Sequence, residues 1–423
     1  MCGRKSKLKN DSNIQAWVPD NAYAIQRIDG LAPPFNDGAV YAHDMKRDIL
    51  YVFGGRRWPI SDHGFFRNPT SDFYKLNLRT RKWESLTHKM TFEAAVKLPF
   101  IPGQKRVEGT PKPIHPLTHA MGCIYHNPSP HLLLFGGKRK IPIANTDLPL
   151  SKLFICINLD TLIWRSIILG GERGVEQRFG AQMVVAGVHL CVFGGRTIDR
   201  ETKAEVGCSS FCVANLKKGS WVVQRRPLPI DGLVLAASVA DHTKVILIGR
   251  VEDPAARTIL NKLLIFDTKS LSFSTYTIQV ADDIHIPPAL SFHHLFSCSV
   301  TTTTSDADSD SDSEGSNVYA LVSWERGVET APIDTSGGVR FAPTKSCDVW
   351  LIRRSESDDQ KLIFQAERLF RQGHLNGLAV AAEYGSVVTT MDGKLALLGY
   401  SRQFTEDTNQ SRVLNALTSM SLQ

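Results

Sequence analysis

The stretch Ile49-Leu50-Tyr51-Val52-Phe53-Gly54-Gly55 is a short run of apolar residues that ends in a pair of glycines. The same pattern returns as His131-Leu132-Leu133-Leu134-Phe135-Gly136-Gly137 and as His189-Leu190-Cys191-Val192-Phe193-Gly194-Gly195. A short, continuous apolar run bounded by turn residues predicts a buried β-strand. The repetition favours one internally repeated β protein over the three domains that the length of 423 residues would suggest.

A second regular spacing follows each glycine pair within this chain. The second glycine precedes a Trp by 28, 27 and 26 residues in the three copies, and an Asn stands six residues before each Trp. These pairs are Asn77 and Trp83, Asn158 and Trp164, and Asn215 and Trp221. Weaker copies continue at residues 245–249, 317–324 and 395–399, and a further strand precedes several copies. We therefore expect six units of four strands each.

These residues resemble the kelch repeat, whose hallmarks are a double glycine after the second strand and an aromatic residue six positions after an Asn or Asp. The resemblance covers nearly the whole chain and is poorest in the fifth unit, where Ser323-Trp324 replaces the glycine pair. It implies an all-β fold, a six-bladed kelch-type β-propeller with four-stranded antiparallel blades around a central channel. Closure of the ring is expected to use the N-terminal strand at residues 22–28, which would complete the sixth blade.

The expected organisation is a basic, disordered tail at residues 1–16 and a single propeller at residues 17–423. A proline-rich insert at residues 87–116 connects the first blade to the second, and it either caps the basic face described below or is a tolerated surface insertion. A low-complexity segment at residues 301–316, TTTTSDADSDSDSEGS, is expected to form a mobile loop between the first two strands of the fifth blade, on the opposite face.

The charge of the chain is divided unevenly. The whole chain has 49 basic and 42 acidic residues, a net charge of +7, but residues 301–316 contain five acidic residues and no basic one. The rest therefore carries 49 basic against 37 acidic residues, a net charge of +12. A basic residue follows the second strand of every unit, and a closed ring would bring these residues to one face. The alternative is that any turn at this position is polar.

We call these candidate partner-binding residues the basic loop residues, and they are Arg56, Arg57, Lys138, Arg139, Lys140, Arg196, Arg250, Arg326 and Arg402. The acidic segment contains candidate phosphorylation sites at Ser305, Ser309 and Ser311, because each has an acidic residue three positions later, which resembles the substrates of acidophilic kinases. Phosphates would add to the negative charge already present. The alternative is an unmodified, solvated spacer.

The sequence contains no linear motif of an enzyme. It has no P-loop, no dinucleotide-binding glycine motif and no nucleophile elbow. The copper ligands of galactose-oxidase-like propellers do not assemble convincingly, and the iron-binding Glu-x3-Asp-x3-His string of kelch specifier proteins is absent. The pairs His115/His119 and His293/His294 lack a carboxylate or Cys that completes a metal set, and His119 and His374 are expected to be structural. We expect no catalytic residue, no metal and no cofactor, although a site assembled across blades would escape this search.

The location of the protein is predicted from two further features. No apolar run reaches the roughly 18 residues that span a bilayer, and residues 1–10 are polar and basic, unlike a secretory signal. Seven of the eight cysteines lie in apolar runs and none forms a CxxC pair, which is typical of reduced core thiols. We expect an intracellular protein, cytoplasmic or nuclear, without membrane insertion.

These features together favour a non-enzymatic scaffold that binds an acidic or phosphorylated segment of a protein partner through the basic loop residues. The fold alone does not define such a function. One alternative is an accessory subunit of a nucleic-acid-processing complex, which would use the same residues on phosphates. Another is a substrate-recognition adaptor for ubiquitin ligation whose ligase-binding module lies on another chain, and a third is redox catalysis.

Overall fold

The structure is a computed structural model in which residues 17–18, 26–27, 29–30, 36–57, 69–93, 96–97, 110–111, 114–139, 150, 154–170, 175–199, 201–231, 233–251, 261–280, 292–298, 318–327, 342–356, 362–372, 386–389, 395–404 and 411–422 are described. Within these ranges the regular structure is almost entirely β-strand, with one 3-10 helix at Thr87–Lys89. None of these ranges contains a helix long and apolar enough to cross a membrane. The expected all-β fold is confirmed.

We number the longer described strands in chain order as units one to six according to their antiparallel pairing. Units four and five form one eight-stranded sheet, because their last strands pair parallel with each other. Unit one contains Val40–Asp44, Ile49–Phe53, Phe73–Asn77 and Lys82–Ser85. Unit two contains Met121–His126, Pro130–Phe135, Phe154–Asn158 and Ile163–Ile168. Unit three contains Gln182–Ala186, His189–Phe193, Ser210–Asn215 and Ser220–Pro227.

The second half of the chain continues in the same way. Unit four contains Leu233–Asp241, Lys244–Val251, Lys262–Asp267 and Ser272–Val280. Unit five contains Phe292–Cys298, Val318–Gly327, Ala342–Glu356 and Leu362–Gln372. Unit six contains Ser386–Thr389, Leu395–Phe404 and Ser411–Leu422. The short strands are Trp17–Val18, Gln26–Arg27, Asp29–Gly30, Asn36–Asp37, Arg56–Arg57, Thr91–Phe92, Val96–Lys97, Thr110–Pro111, Leu117–Thr118, Lys138–Arg139, Arg196–Ile198 and Glu205–Gly207.

The units are arranged around a common centre. The first strand of each unit contacts the first strand of the next unit, and the first strand of unit six contacts that of unit one. Four hydrophobic clusters fill the spaces between units one and two, two and three, three and four, and four and five. Sheets that bury both faces against neighbouring sheets are typical of propellers. The structure thus has a propeller-like arrangement of mainly antiparallel sheets.

The N-terminal segment connects the last unit to the first. Trp17–Val18 and Gln26–Arg27 both pair antiparallel with the last strand of unit six, Ser411–Leu422. Asp29–Gly30 then pairs parallel with the fourth strand of unit one. The expected addition of residues 22–28 to the last unit is therefore observed at Gln26–Arg27, and the other residues of that range lie outside the described ones.

The described parts of the proline-rich insert lie along the outer edge of unit two. Thr91–Phe92 and Val96–Lys97 pair parallel with the fourth strand of unit two, and Thr110–Pro111 pairs with Thr91–Phe92. The ring centroids of Phe92 and Trp164 are 4.5 Å apart. An outer strand leaves backbone N–H and C=O groups unpaired on one side, so this addition satisfies groups that would otherwise face water. These parts of the insert extend a sheet.

The Asn or Asp that precedes each aromatic residue by six positions caps the turn between the third and fourth strands. The Asn77 Oδ1 accepts a hydrogen bond from the Thr80 N–H at 2.8 Å, and the Asn158 Oδ1 accepts from the Asp160 and Thr161 N–H groups at 2.9 Å. Asn215 and Asp267 accept from their own turns in the same way. The residue four positions after each cap has a positive φ, namely Arg81, Leu162, Gly219 and Leu271. The repeated spacing therefore reflects one turn geometry that units one to four share.

Candidate functional site at the second-strand ends

The three glycine pairs lie immediately before basic loop residues, at the ends of second strands. All six glycines of the three pairs have φ between 63° and 91°. A Cβ at Gly136 would lie 2.2 Å from the carbonyl oxygen of Arg178, and one at Gly54 would lie 2.5 Å from that of Leu117. Gly137 donates its N–H to the Arg178 carbonyl at 3.0 Å. Glycine is required here because it permits both the backbone angles and the close approach to the chain that enters the next unit.

The residues that follow the glycines extend the second strands. The short pairs are Arg56–Arg57 with Asn36–Asp37, Lys138–Arg139 with Leu117–Thr118, and Arg196–Ile198 with Glu205–Gly207. In units four to six the second strand is continuous and includes Arg250, Arg326 and Arg402. The described basic loop residues thus occupy equivalent positions in their units. Lys140 lies outside the described residues, as do Ser305, Ser309 and Ser311.

Lys138 and Arg196 converge on one carboxylate. The Lys138 ammonium forms an ion pair with Glu205 and lies 4.0 Å from the centroid of the Phe179 ring, a cation–π contact. The Arg196 Nη1 atom is 3.9 Å from the Glu205 Oε2 atom. The Lys138 side chain is 13% exposed and that of Arg196 is 60% exposed. Lys138 therefore links unit two to unit three, and Arg196 is the more accessible cation.

The other basic loop residues are described to different extents. Arg139 and Arg250 are half-buried. For the remaining ones the structure describes the backbone alone, and these are Arg56, Arg57, Arg326 and Arg402. The Arg56 backbone lies opposite that of Asp37 in the strand register, so an acidic residue occupies the neighbouring register position in unit one.

A buried arginine, Arg178, contacts the backbone next to the second-strand end of unit three. Arg178 is fully buried where the chain enters unit three. Its Nη1 donates hydrogen bonds to the carbonyl oxygens of Gly194 and Ser210, each at 3.0 Å, and its Nη2 donates to the Ser210 Oγ at 3.1 Å. Its Nη2 is also 3.9 Å from a carboxylate oxygen of Glu176. The guanidinium therefore holds together the ends of the second and third strands of unit three.

Sequence reasoning did not identify Arg178, Glu205 or Phe179 as parts of this site. Arg178 did carry a signal, because Arg178-Phe179-Gly180 has a sequence counterpart in Arg371-Gln372-Gly373, although Arg371 and Gln372 end the fourth strand of unit five. Nothing in the local sequence marks Glu205, which contacts Lys138 only because two units are neighbours. The expected structural role of His119 has support in its N–H bond to the Gly38 carbonyl at 2.7 Å and in a ring contact with Phe179.

A second polar cluster links units one and two, where the turns between first and second strands lie near the turn between the third and fourth strands of unit two. The Asp44 carboxylate is fully buried and lies 3.2 Å from the His126 Nε2 atom of unit two. It also accepts the Lys46 N–H at 3.2 Å. Arg47 donates to the Asp160 Oδ1 of unit two at 2.6 Å. These contacts fix the register between two neighbouring sheets.

Beside this cluster, His43 is expected to make the protein less stable in acid. Its Nε2 atom is buried without a hydrogen-bond partner among the described residues, and burial lowers its pKa to about 4, against the opposing effect of Asp48 and Asp44. Below pH 6.5 the His side chain in the unfolded chain, with a pKa of about 6.5, binds a proton, whereas the buried His43 of the folded chain stays neutral to a lower pH. Stability is therefore full above pH 6.5 and falls towards pH 4, by up to roughly 3 kcal/mol.

Urea midpoints measured between pH 4 and pH 7.5 test this expectation. The variant His43→Gln should show a flatter pH dependence than the parent, and His242→Asn is a control substitution at an exposed histidine whose positive φ Asn tolerates. His131 and His189 also have lowered pKa values through burial, so some acid sensitivity should persist in both variants. Equal slopes for His43→Gln and the parent would contradict the expectation.

The five cysteines whose side chains are described are free thiols, and Cys208 donates to a Glu176 carboxylate oxygen at 3.8 Å. Burial raises the pKa of Cys156 and Cys191 to about 12 and that of Cys208 to about 11, and it also raises the pKa of Cys123 and Cys212. Because the thiolate is the nucleophile and the metal ligand, these thiols are poorly suited to either role at neutral pH. No group of three or more His, Cys, Asp or Glu residues suited to a metal ion occurs in the described ranges.

The chain matches no protein-family model and no curated protein. The fold and the geometry above therefore define the class of this protein, an all-β protein with a propeller-like arrangement of mainly antiparallel sheets.

Proposed function

We propose that the chain is a six-bladed kelch propeller and a non-enzymatic scaffold whose protein partner presents an acidic or phosphorylated segment to the basic loop residues. The six-bladed assignment is supported by the six antiparallel units and by the ring of contacts between their first strands. The kelch assignment is supported by the glycine pairs with positive φ and by the capped turns before the aromatic residues.

The observation that carries the binding proposal is the equivalent position of a basic residue at the end of every second strand. In units two and three the side chains are described furthest, and there Lys138, Arg139 and Arg196 are accompanied by the carboxylate of Glu205. This leaves an excess of two positive charges among these four residues at adjoining strand ends. The guanidinium of Arg196 is exposed, and its planar set of donors suits carboxylate and phosphate oxygens.

The double variant Arg139→Glu with Arg196→Glu is expected to weaken acidic-peptide binding about tenfold. Each reversal replaces an attraction worth roughly 0.5–1 kcal/mol at an exposed site by a repulsion, and tenfold corresponds to about 1.4 kcal/mol. The probe is a fluorescent peptide of alternating glutamate and phosphoserine, with binding followed by fluorescence anisotropy. Lys138 is left intact because its contacts with Glu205 and Phe179 link two units.

A matched control separates a local site from the general field of a basic protein. The double variant Lys82→Glu with Lys269→Glu makes the same change in charge at exposed turns between third and fourth strands. It should weaken binding less than about threefold. Equal losses in the two double variants would overturn the binding proposal. Tighter binding of a single-stranded oligothymidine, with a steep dependence on salt, would favour the nucleic-acid alternative instead.

A further inference from the structure

Among the described residues, the outer edge of unit three has the shortest covering, a single bridge between Gly170 and Ser220, whereas the other outer edges pair over two or more residues. In the described residues, every other outermost strand has a further strand beside it. The covering pairs are Lys82–Ser85 with Asp29–Gly30, Ile163–Ile168 with Thr91–Phe92 and Val96–Lys97, Ser272–Val280 with Leu362–Gln372, and Ser411–Leu422 with Trp17–Val18 and Gln26–Arg27. The fourth strand of unit three, Ser220–Pro227, ends its sheet.

Among the described residues, Gly170 alone pairs with the outer side of this strand, at its beginning. The Trp221 N–H donates to the Gly170 carbonyl at 3.0 Å, and the Gly170 N–H donates to the Gly219 carbonyl at 2.9 Å. From Val222 to Pro227, no described strand pairs with the outer side of the backbone. An open strand edge presents N–H and C=O groups that can pair with another extended chain.

The hairpin that carries this edge is strongly basic. Lys217, Lys218, Arg225 and Arg226 are exposed, and none of them forms an ion pair with a described residue. No acidic residue occurs between positions 208 and 230. Arg225 and Arg226 are adjacent and both exposed, because register shifts in the pairing with Ser210–Asn215 interrupt the alternation of the strand. These two cations therefore lie at the open part of the edge.

The positive charge of this hairpin also indicates which kind of chain can pair with the edge. A second copy of this chain would bring four more cations to the same edge, and like charges on neighbouring strands repel. An acidic chain would meet four cations and would also cover Val222, which is 47% exposed. A nucleic acid would satisfy the charges but lacks the alternating N–H and C=O groups that continue a sheet. The complementary occupant is an extended acidic peptide segment.

We propose that the open edge of Ser220–Pro227 binds an extended acidic segment of a partner protein by strand addition. The backbone of the partner continues the sheet of unit three, and its carboxylates lie beside Arg225 and Arg226. Arg226 lies opposite Phe211, which lies opposite Phe193, so the site is two strands outward from the end of the second strand that precedes Arg196. It is argued from the strand edge and not from the function proposed for the basic loop residues.

The test uses the full chain and a fluorescent peptide of alternating valine and glutamate, with binding measured by anisotropy. A matched peptide carries N-methyl groups at alternate residues, which keeps its charge but removes the N–H donors of one edge. The variant Arg225→Glu with Arg226→Glu should weaken binding of the unmodified peptide about tenfold, and N-methylation should weaken it at least as much. Lys82→Glu with Lys269→Glu should leave binding within about threefold of the parent.

Several results would overturn the proposal. They are equal binding of the methylated and unmodified peptides, unchanged binding by Arg225→Glu with Arg226→Glu, and tighter binding of an oligothymidine than of the peptide. Self-association in sedimentation experiments that is lost in Arg225→Glu with Arg226→Glu would identify a second copy as the occupant and would also overturn it. A loss caused only by Arg139→Glu with Arg196→Glu would move the peptide to the basic loop residues. Thermal unfolding of each variant shows whether it is folded, as expected for substitutions of exposed residues.

Discussion

Replacement of Arg178 by alanine is expected to lower the free energy of unfolding by about 3–5 kcal/mol. The guanidinium is fully buried, and its removal leaves the carbonyl oxygens of Gly194 and Ser210 and the Ser210 hydroxyl without their donors. Buried acceptors without partners are costly because they lose water without a replacement. The loss should therefore far exceed that for an exposed arginine.

Urea unfolding provides the measurement, with the midpoint and slope fitted together. Arg196→Ala is the control, because Arg196 lies in the same unit with 60% of its side chain exposed, and its effect should stay within about 0.5 kcal/mol. Arg178→Lys keeps the charge but loses the planar fork, so it should be intermediate and serves if the alanine variant does not accumulate. A loss below about 1 kcal/mol for Arg178→Ala would refute this role.

The second large effect is expected for Gly136→Ala, which should destabilise the protein by about 2–5 kcal/mol. A positive φ with a Cβ costs roughly 1–2 kcal/mol, and forcing extra atoms into a packed region typically costs about 1–3 kcal/mol more. The new Cβ would lie 2.2 Å from the carbonyl oxygen of Arg178. Since that oxygen belongs to the backbone entering unit three, unit two and unit three would have to move apart.

Gly187→Ala is a matched control for this prediction. Gly187 has a φ of 60°, close to the 68° of Gly136, but no atom lies within 4 Å of the position that a Cβ would take there. The control therefore carries the conformational penalty without the collision, and the difference between the two variants measures the close approach alone. If the two substitutions prove equally destabilising in urea, the packing of the glycine pair against the next unit is not the reason for the glycine.

Much of the fold is predictable from sequence because it rests on local geometry. The glycine pairs need positive φ and close approach, and Asn77, Asn158 and Asn215 cap a turn four residues before its end. Both requirements leave a signature at a fixed spacing. The four-stranded pattern of units one to five follows from that signature, whereas the pairing of the N-terminal segment with the last unit was expected from closure of the ring.

The site is less predictable because its contacts join residues that are remote in sequence. Lys138 and Glu205 come from different units, so no local pattern indicates that one neutralises the other. Burial of Arg178 depends on the carbonyl groups that surround it rather than on its neighbours in the chain. The open edge of Ser220–Pro227 becomes visible only when the strands covering the other edges are known. The sequence predicts that the basic residues lie at equivalent strand ends, but it does not indicate which residues contact them.

The pairing of Gln26–Arg27 with the last strand has a consequence for synthesis of the protein. Arg27 pairs with Ala416, almost 400 positions later. At about 5–20 residues per second, the N-terminal strand waits roughly 20–80 s on the ribosome before its partner exists. Contacts between such distant segments form late and slowly. The join between the two ends of the chain therefore cannot form before Ala416 is synthesised, and a chain shortened before that residue lacks it.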